Sequence, residues 1–150
     1  MLGPGGARSI AAVDFVQSHY TTSLEPGEIV AALTIPKTSP ASRAALVEVA
    51  RRHGDFALAG AIVVVDVADG TCTDARVVVF GLGDRAARVA SAEAALVGSD
   101  LGAGAALRAA ALVSAAVDPT DDVHASADYR REVAGVVVRR AVSRLAGSAA

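Results

Sequence analysis

The 150-residue chain carries 53% hydrophobic and 20% charged side chains, enough apolar material for one compact core or two very small ones, which excludes global disorder. A net charge of −2, with no basic run longer than an arginine pair, argues against a nucleic-acid binder. The single cysteine, Cys72, rules out an intrachain disulfide, and the longest apolar run, residues 56–65, is too short to span a bilayer.

Taken along the chain, residues 1–7 (MLGPGGA) are rich in glycine and proline and read as a linker without an apolar signal-peptide core. A soluble, cytoplasmic protein is expected. Residues 8–12 read as a short strand and 13–16 as one helical turn. A turn-rich stretch ending in Pro26-Gly27 leads into residues 28–35 (EIVAALTI). These read as a strand stopped by Pro36, which has no ladder donor. Three strands are then expected at 44–51, 57–67 and 73–80. The short connections, one of them the hairpin signal Asp69-Gly70, predict an antiparallel meander.

After Gly81-Leu82-Gly83, whose glycines suit a turn of unusual φ, the pattern becomes helical. Residues 91–97 predict a short helix stopped by Gly98. Residues 103–116 predict an alanine-rich helix closed by Asp118-Pro119. Residues 126–145 predict the longest helix, capped by Ser126. Its stripe begins at Tyr129, Val133, Val136 and Val137 and drifts to Val138, Ala141, Val142 and Leu145, as suits a helix touching a sheet with one half and another helix with the other. Tyr129 reads as a helix-to-sheet anchor, and Arg130 and Arg131 as surface or intersubunit contacts. Strands first and helices later predict an α+β fold. The expected architecture is a two-layer sandwich, an antiparallel sheet of three to four strands followed by about three helices. It occupies residues 8–147, with 148–150 as a tail.

No self-contained catalytic set is visible. His19, His53 and His124 are scattered, none has a second ligand at metal-binding helical spacing, and no G-x-S-x-G elbow, P-loop or H-E-x-x-H occurs. The segment Arg51-Arg52-His53-Gly54-Asp55-Phe56 concentrates charge between two apolar strands. By composition alone it is a solvated connection with Arg–Asp pairing of little energetic value.

An ordered set of segments nevertheless stands out. The first segment is Asp14-Phe15 with Thr22-Ser23-Leu24-Glu25-Pro26-Gly27-Glu28-Ile29-Val30 and Leu33-Thr34-Ile35-Pro36. The second is Glu48-Val49-Ala50-Arg51-Arg52-His53-Gly54-Asp55-Phe56-Ala57-Leu58. Ala92-Glu93 with Leu96 and Gly98 follows, and then Ser126-Ala127-Asp128-Tyr129-Arg130-Arg131 with Val138-Arg139-Arg140-Ala141. In that order they resemble the C-terminal domain of the FAD-binding (medium) subunit of the xanthine dehydrogenase and carbon monoxide dehydrogenase, or molybdenum hydroxylase, family, and the resemblance runs from about residue 8 to residue 145.

What it implies is an oxidoreductase component with no activity of its own as this chain. The domain would cover one side of the FAD isoalloxazine and support electron transfer from iron–sulfur clusters to FAD and an acceptor. Its partners would be an N-terminal FAD-binding domain or chain, a molybdopterin-binding large subunit and a [2Fe–2S] small subunit. Only part of the FAD site would lie here, so weak or no FAD binding is expected of the chain alone. The positions carried over are Glu28, Ile29, Val30, Val47, Glu48, Arg51, Arg52 and Asp55. Val30 would offer an apolar contact. A carboxylate such as Glu48 facing the ring would disfavour reduced anionic flavin. The competing reading is a standalone α+β interaction domain that has lost flavin binding.

Overall fold

A computed structural model describes residues 1–147, so the expected 148–150 tail lies outside the described residues. The chain divides into two compact units, the first spanning Met1–Thr38 and the second beginning at Ser39.

In the first unit, Leu2–Gly3 (β1) and Gly6–Ala7 (β2) pair as a minimal hairpin, so the glycine-rich start has regular structure. One helical turn, Ala12–Phe15 (α1), leads into a second small hairpin of Val16–Ser18 (β3) and Thr21–Thr22 (β4). The strands expected at 8–12 and 28–35 do not form. Residues 28–35 pair with the rest of the unit only through an isolated bridge between Leu2 and Ile29. A β-rich pattern becomes a strand only beside a partner that accepts its backbone groups, and this unit offers none beyond that bridge. The unit is held instead by Arg8, which grips Glu28 bidentately at 2.6 and 2.7 Å and donates to the Ser23 carbonyl at 2.6 Å.

The second unit is the predicted α+β sandwich. Ser42–Ala50 (β5), Ala57–Ala68 (β6), Thr71–Phe80 (β7) and the two-residue Ala87–Arg88 (β8) form one antiparallel sheet in sequence order. Asp69 and Gly70 both take positive φ, 49° and 75°, the requirement of the tight hairpin their sequence signals. Then follow Ala90–Leu96 (α2), Ala103–Ala116 (α3) and Ala127–Ala146 (α4). Gly98 leaves α2 at φ 80°, and the Ser126 hydroxyl caps α4 by accepting from the Tyr129 N–H at 3.2 Å.

Alternation along the strands puts one face under the helices. Ala59, Ala61, Val63 and Val65 of β6, and Ala75, Val77 and Val79 of β7, are buried with Ala134, Val137, Val138, Ala141 and Val142 of α4. α4 lies over β5 and β6, α2 over β7, and α3 packs against both helices. With aromatics only 3% of the chain, this core is built from alanine and valine, and each fully buried valine contributes about 1.5–3 kcal/mol. At the open edge of β5, Arg144 donates to the Leu46 carbonyl at 2.9 Å, which blocks an acceptor that another strand could use.

Candidate functional site

Of the positions singled out by sequence, Glu28, Ile29 and Val30 belong to the first unit. The Glu28 carboxylate is occupied by Arg8 and by the Glu25 N–H at 2.7 Å. Those contacts, the Arg8 hydrogen bond foremost, hold its carboxyl down at about 2. Ile29 is exposed and uses its backbone on Leu2. Val30 lines an apolar cleft of about 420 Å³, shared with Ile10, Phe15, Val16 and Leu33. That volume falls within the range of small-molecule sites.

The second unit holds the other five. Val47 and Glu48 are neighbours on β5 and therefore point to opposite faces. Val47 is buried in the core beneath the helices, whereas Glu48 is exposed on the other face, in a row with Gly60 and Phe80. Phe80 lies across Gly60 so closely that a methyl group there would collide with the ring. Arg51, Arg52 and Asp55 are exposed together in the connection from β5 to β6, which ends at Phe56, 95% exposed. Gly54 turns this loop at φ 82°, and the space where its side chain would stand is open. Asp55 accepts from the Phe56 N–H at 2.9 Å. Arg51 Nη1 lies 3.0 Å from His124 Nδ1. A guanidinium can only donate, so the imidazole accepts through that nitrogen.

The residue that sequence misassigned is Arg130. Tyr129, expected as the anchor, is 45% exposed, while Arg130, expected at the surface, is only 7% exposed. Its Nη1 donates to the carbonyls of Leu58 and Gly81, each at 2.8 Å, and its Nη2 to Asp122 Oδ2 at 2.6 Å. The helix is thus fixed to the first residues of β6 and the exit of β7 by a planar fork that tyrosine cannot supply. Gly81 leaves β7 at φ 75°, with the Ala57 carbonyl 2.6 Å from where a Cβ would sit. Glu93 has a comparable role farther along the sheet. It accepts the Val77 N–H at 3.0 Å and a bidentate Arg88 at 2.8 Å. Burial pushes its carboxyl up, but the Arg88 and Val77 hydrogen bonds outweigh that and leave it below the ordinary value.

Asp122 Oδ1 accepts the N–H groups of His124 at 2.8 Å and Ala125 at 2.9 Å. The His124 N–H first, then Arg130 and the Ala125 N–H, lower its carboxyl from 3.8 to about 2. A folded value below the unfolded one contributes stability that is complete above about pH 4 and is lost as pH falls through about 2. Denaturation followed at stepped acidic pH is expected to show a flatter decline in Asp122→Asn than in the parent across that window. Superimposable declines would remove Asp122 as a source of acid sensitivity.

Comparison with known proteins gives a consistent picture. The model of the CO dehydrogenase flavoprotein C-terminal domain family matches residues 44–145. The chain is 37% identical over 144 residues to the carbon monoxide dehydrogenase medium chain of Afipia carboxidovorans, covering 96% of this chain and 50% of that one. It is 36% identical over 140 residues to the 6-hydroxypseudooxynicotine dehydrogenase complex subunit alpha of Paenarthrobacter nicotinovorans, covering 93% and 47%. Among solved structures it superposes on reconstituted CO dehydrogenase from Oligotropha carboxidovorans with a TM-score of 0.91 at 36% identity, over 99% of this chain and 52% of that chain. The chain therefore spans about half the length of the curated relatives it matches.

Proposed function

The chain belongs to the CO dehydrogenase flavoprotein C-terminal domain family, and from that membership we propose that it is the C-terminal domain of a molybdenum hydroxylase medium subunit. In this role it covers one side of the FAD isoalloxazine and supports electron transfer from iron–sulfur clusters to the flavin and on to an acceptor. The observation that carries the reading is the family match over residues 44–145, which takes in the Arg51–Phe56 loop.

The residues present suit a lid over a ring. The second unit offers an exposed loop of Arg51, Arg52 and Asp55 with open space at Gly54 and a free aromatic at Phe56. Arginine donors and the Asp55 carboxylate match the polar edge of a flavin, and Phe56 matches its apolar body. Bound FAD supplies the redox chemistry, and these side chains orient it and exclude water.

No residue between Met1 and Thr38 is buried, and Leu33 and Ile35 are more than three-quarters exposed. Such a surface suits coverage by further polypeptide, in this reading an N-terminal FAD-binding domain or chain. A molybdopterin-binding large subunit and a [2Fe–2S] small subunit complete the assembly, and substrate hydroxylation takes place in the large subunit. No helix among the described residues is long and apolar enough to cross a membrane.

The test is a reductive titration of flavin in the complete subunit, comparing the parent with Glu48→Lys and Arg51→Ala. A cation replacing the Glu48 carboxylate is expected to raise the flavin midpoint potential, and loss of Arg51 to lower it. Potentials unchanged in both variants would overturn the placement of the ring against this face.

A further inference from the structure

We propose that Arg130 and Asp122 form a positioning pair that holds the Arg51–Asp55 loop in one arrangement, with His124 as the link between them and the loop. The inference deepens the flavin-lid reading, which gives the loop its purpose, but its physical basis is independent of any cofactor.

Three connections meet at one end of the second unit. They are residues 51–56 between β5 and β6, the exit of β7 at Gly81, and residues 117–126 between α3 and α4. None has a regular ladder to fix it, and the first is wholly exposed. From the first turn of α4, Arg130 reaches the start of β6 and the other two connections. One nitrogen holds Leu58 and Gly81 by their carbonyls, and the other holds Asp122. Asp122 turns its second oxygen to the backbone of His124 and Ala125, which fixes the peptide that carries the His124 ring. Asp121 pins the next residues by accepting from the Ala127 N–H at 2.5 Å. The His124 ring then receives Arg51 at 3.0 Å. A continuous series of charge-assisted and backbone hydrogen bonds thus runs from a buried guanidinium to the first residue of the exposed loop.

Each step is a contact with limited alternatives. The Arg130 side chain is 9% exposed and cannot change partners without leaving two carbonyls bare. No residue with a side chain fits at Gly81, because at φ 75° its Cβ would stand 2.6 Å from the Ala57 carbonyl. Asp122 has both oxygens engaged. The loop itself contributes only the Asp55 N–H to Arg52 carbonyl bond at 3.2 Å and the short Asp55 turn to Phe56. The Ala50–Ala57 pairing fixes its two ends, and between them Arg51 supplies the tie from the loop to His124.

Backbone ¹⁵N relaxation on the full chain tests this without flavin. In the parent, residues 51–56 are expected to have order parameters close to the ~0.85 of rigid backbone. In both Asp122→Asn and His124→Ala they should fall below ~0.6, while the centres of β6 and β7 stay unchanged. Leu96→Ala, a core variant far from the relay in sequence and fully buried, should lower stability without loosening the loop. If the loop is already mobile in the parent, or keeps its order in both relay variants, the positioning role is refuted. If only Asp122→Asn fails to fold, His124→Ala alone decides. A loop that loosens as expected beside an unaltered flavin potential in the complete subunit overturns the flavin reading and leaves this one standing.

Discussion

Arg130→Met is expected to lower the stability of the second unit by about 2–6 kcal/mol, a shift of about 4–24 °C in Tm for a chain of this size. Methionine keeps most of the apolar volume, so the loss reports on hydrogen bonding rather than on a cavity. Two carbonyls, of Leu58 and Gly81, lose their donor. An enclosed acceptor left unpaired costs about 1–3 kcal/mol. Asp122 loses its partner as well, but its side chain is 46% exposed and water compensates there, so the carbonyls dominate. Arg130→Lys should fall between the two, because a single ammonium cannot satisfy two carbonyls and a carboxylate at once. Chemical denaturation with far-ultraviolet circular dichroism reads the difference. A methionine variant within about 1 kcal/mol of the parent would mean that the fork contributes no more than an exposed ion pair.

The importance of that arginine was not legible in the sequence, and the reason is physical. Both carbonyls it satisfies are distant along the chain, 72 and 49 residues away, and a carbonyl leaves no mark on residue type. Periodicity placed Tyr129 on the inner stripe because an apolar side chain looks buried. In the structure the stripe begins at Arg130 and Val133 and continues through Ala134, Val137 and Val138. Signals that depend on one residue's own backbone were readable. The Asp69-Gly70 hairpin, the Ser126 cap, the Gly98 stop and the turn at Gly81 all stand where glycine or a short polar side chain required them. The strand expected at 28–35 shows the opposite limit, since its pattern is intact but a strand needs a neighbour. The candidate site was legible only through resemblance. By composition the Arg51–Asp55 loop is a solvated connection, and His124, which meets Arg51, reads as an isolated histidine.

Gly135 carries the second large effect. It lies in the middle of α4, where glycine costs about 1 kcal/mol relative to alanine by propensity alone, so a local reading would replace it. The packing explains its presence. A Cβ there would stand 2.5 Å from the Ser114 hydroxyl and 3.1 Å from the Ala110 carbonyl of α3. Ser114 is itself committed, donating to the Arg131 carbonyl at 3.1 Å. Gly135→Val is therefore expected to destabilise by about 2–3 kcal/mol, as overpacked helix contacts do. In Gly135→Ala, the gain in propensity offsets most of the clash and leaves stability within about 1 kcal/mol of the parent. Removing the hydroxyl separates the two contributions. Ser114→Ala combined with Gly135→Ala should be more stable than the sum of the single changes implies, a favourable coupling of about 0.5–1 kcal/mol measured by a double-mutant cycle. Valine tolerated at 135, or strict additivity in the cycle, would show that α3 and α4 can move apart at this crossing and that glycine is not what sets their distance.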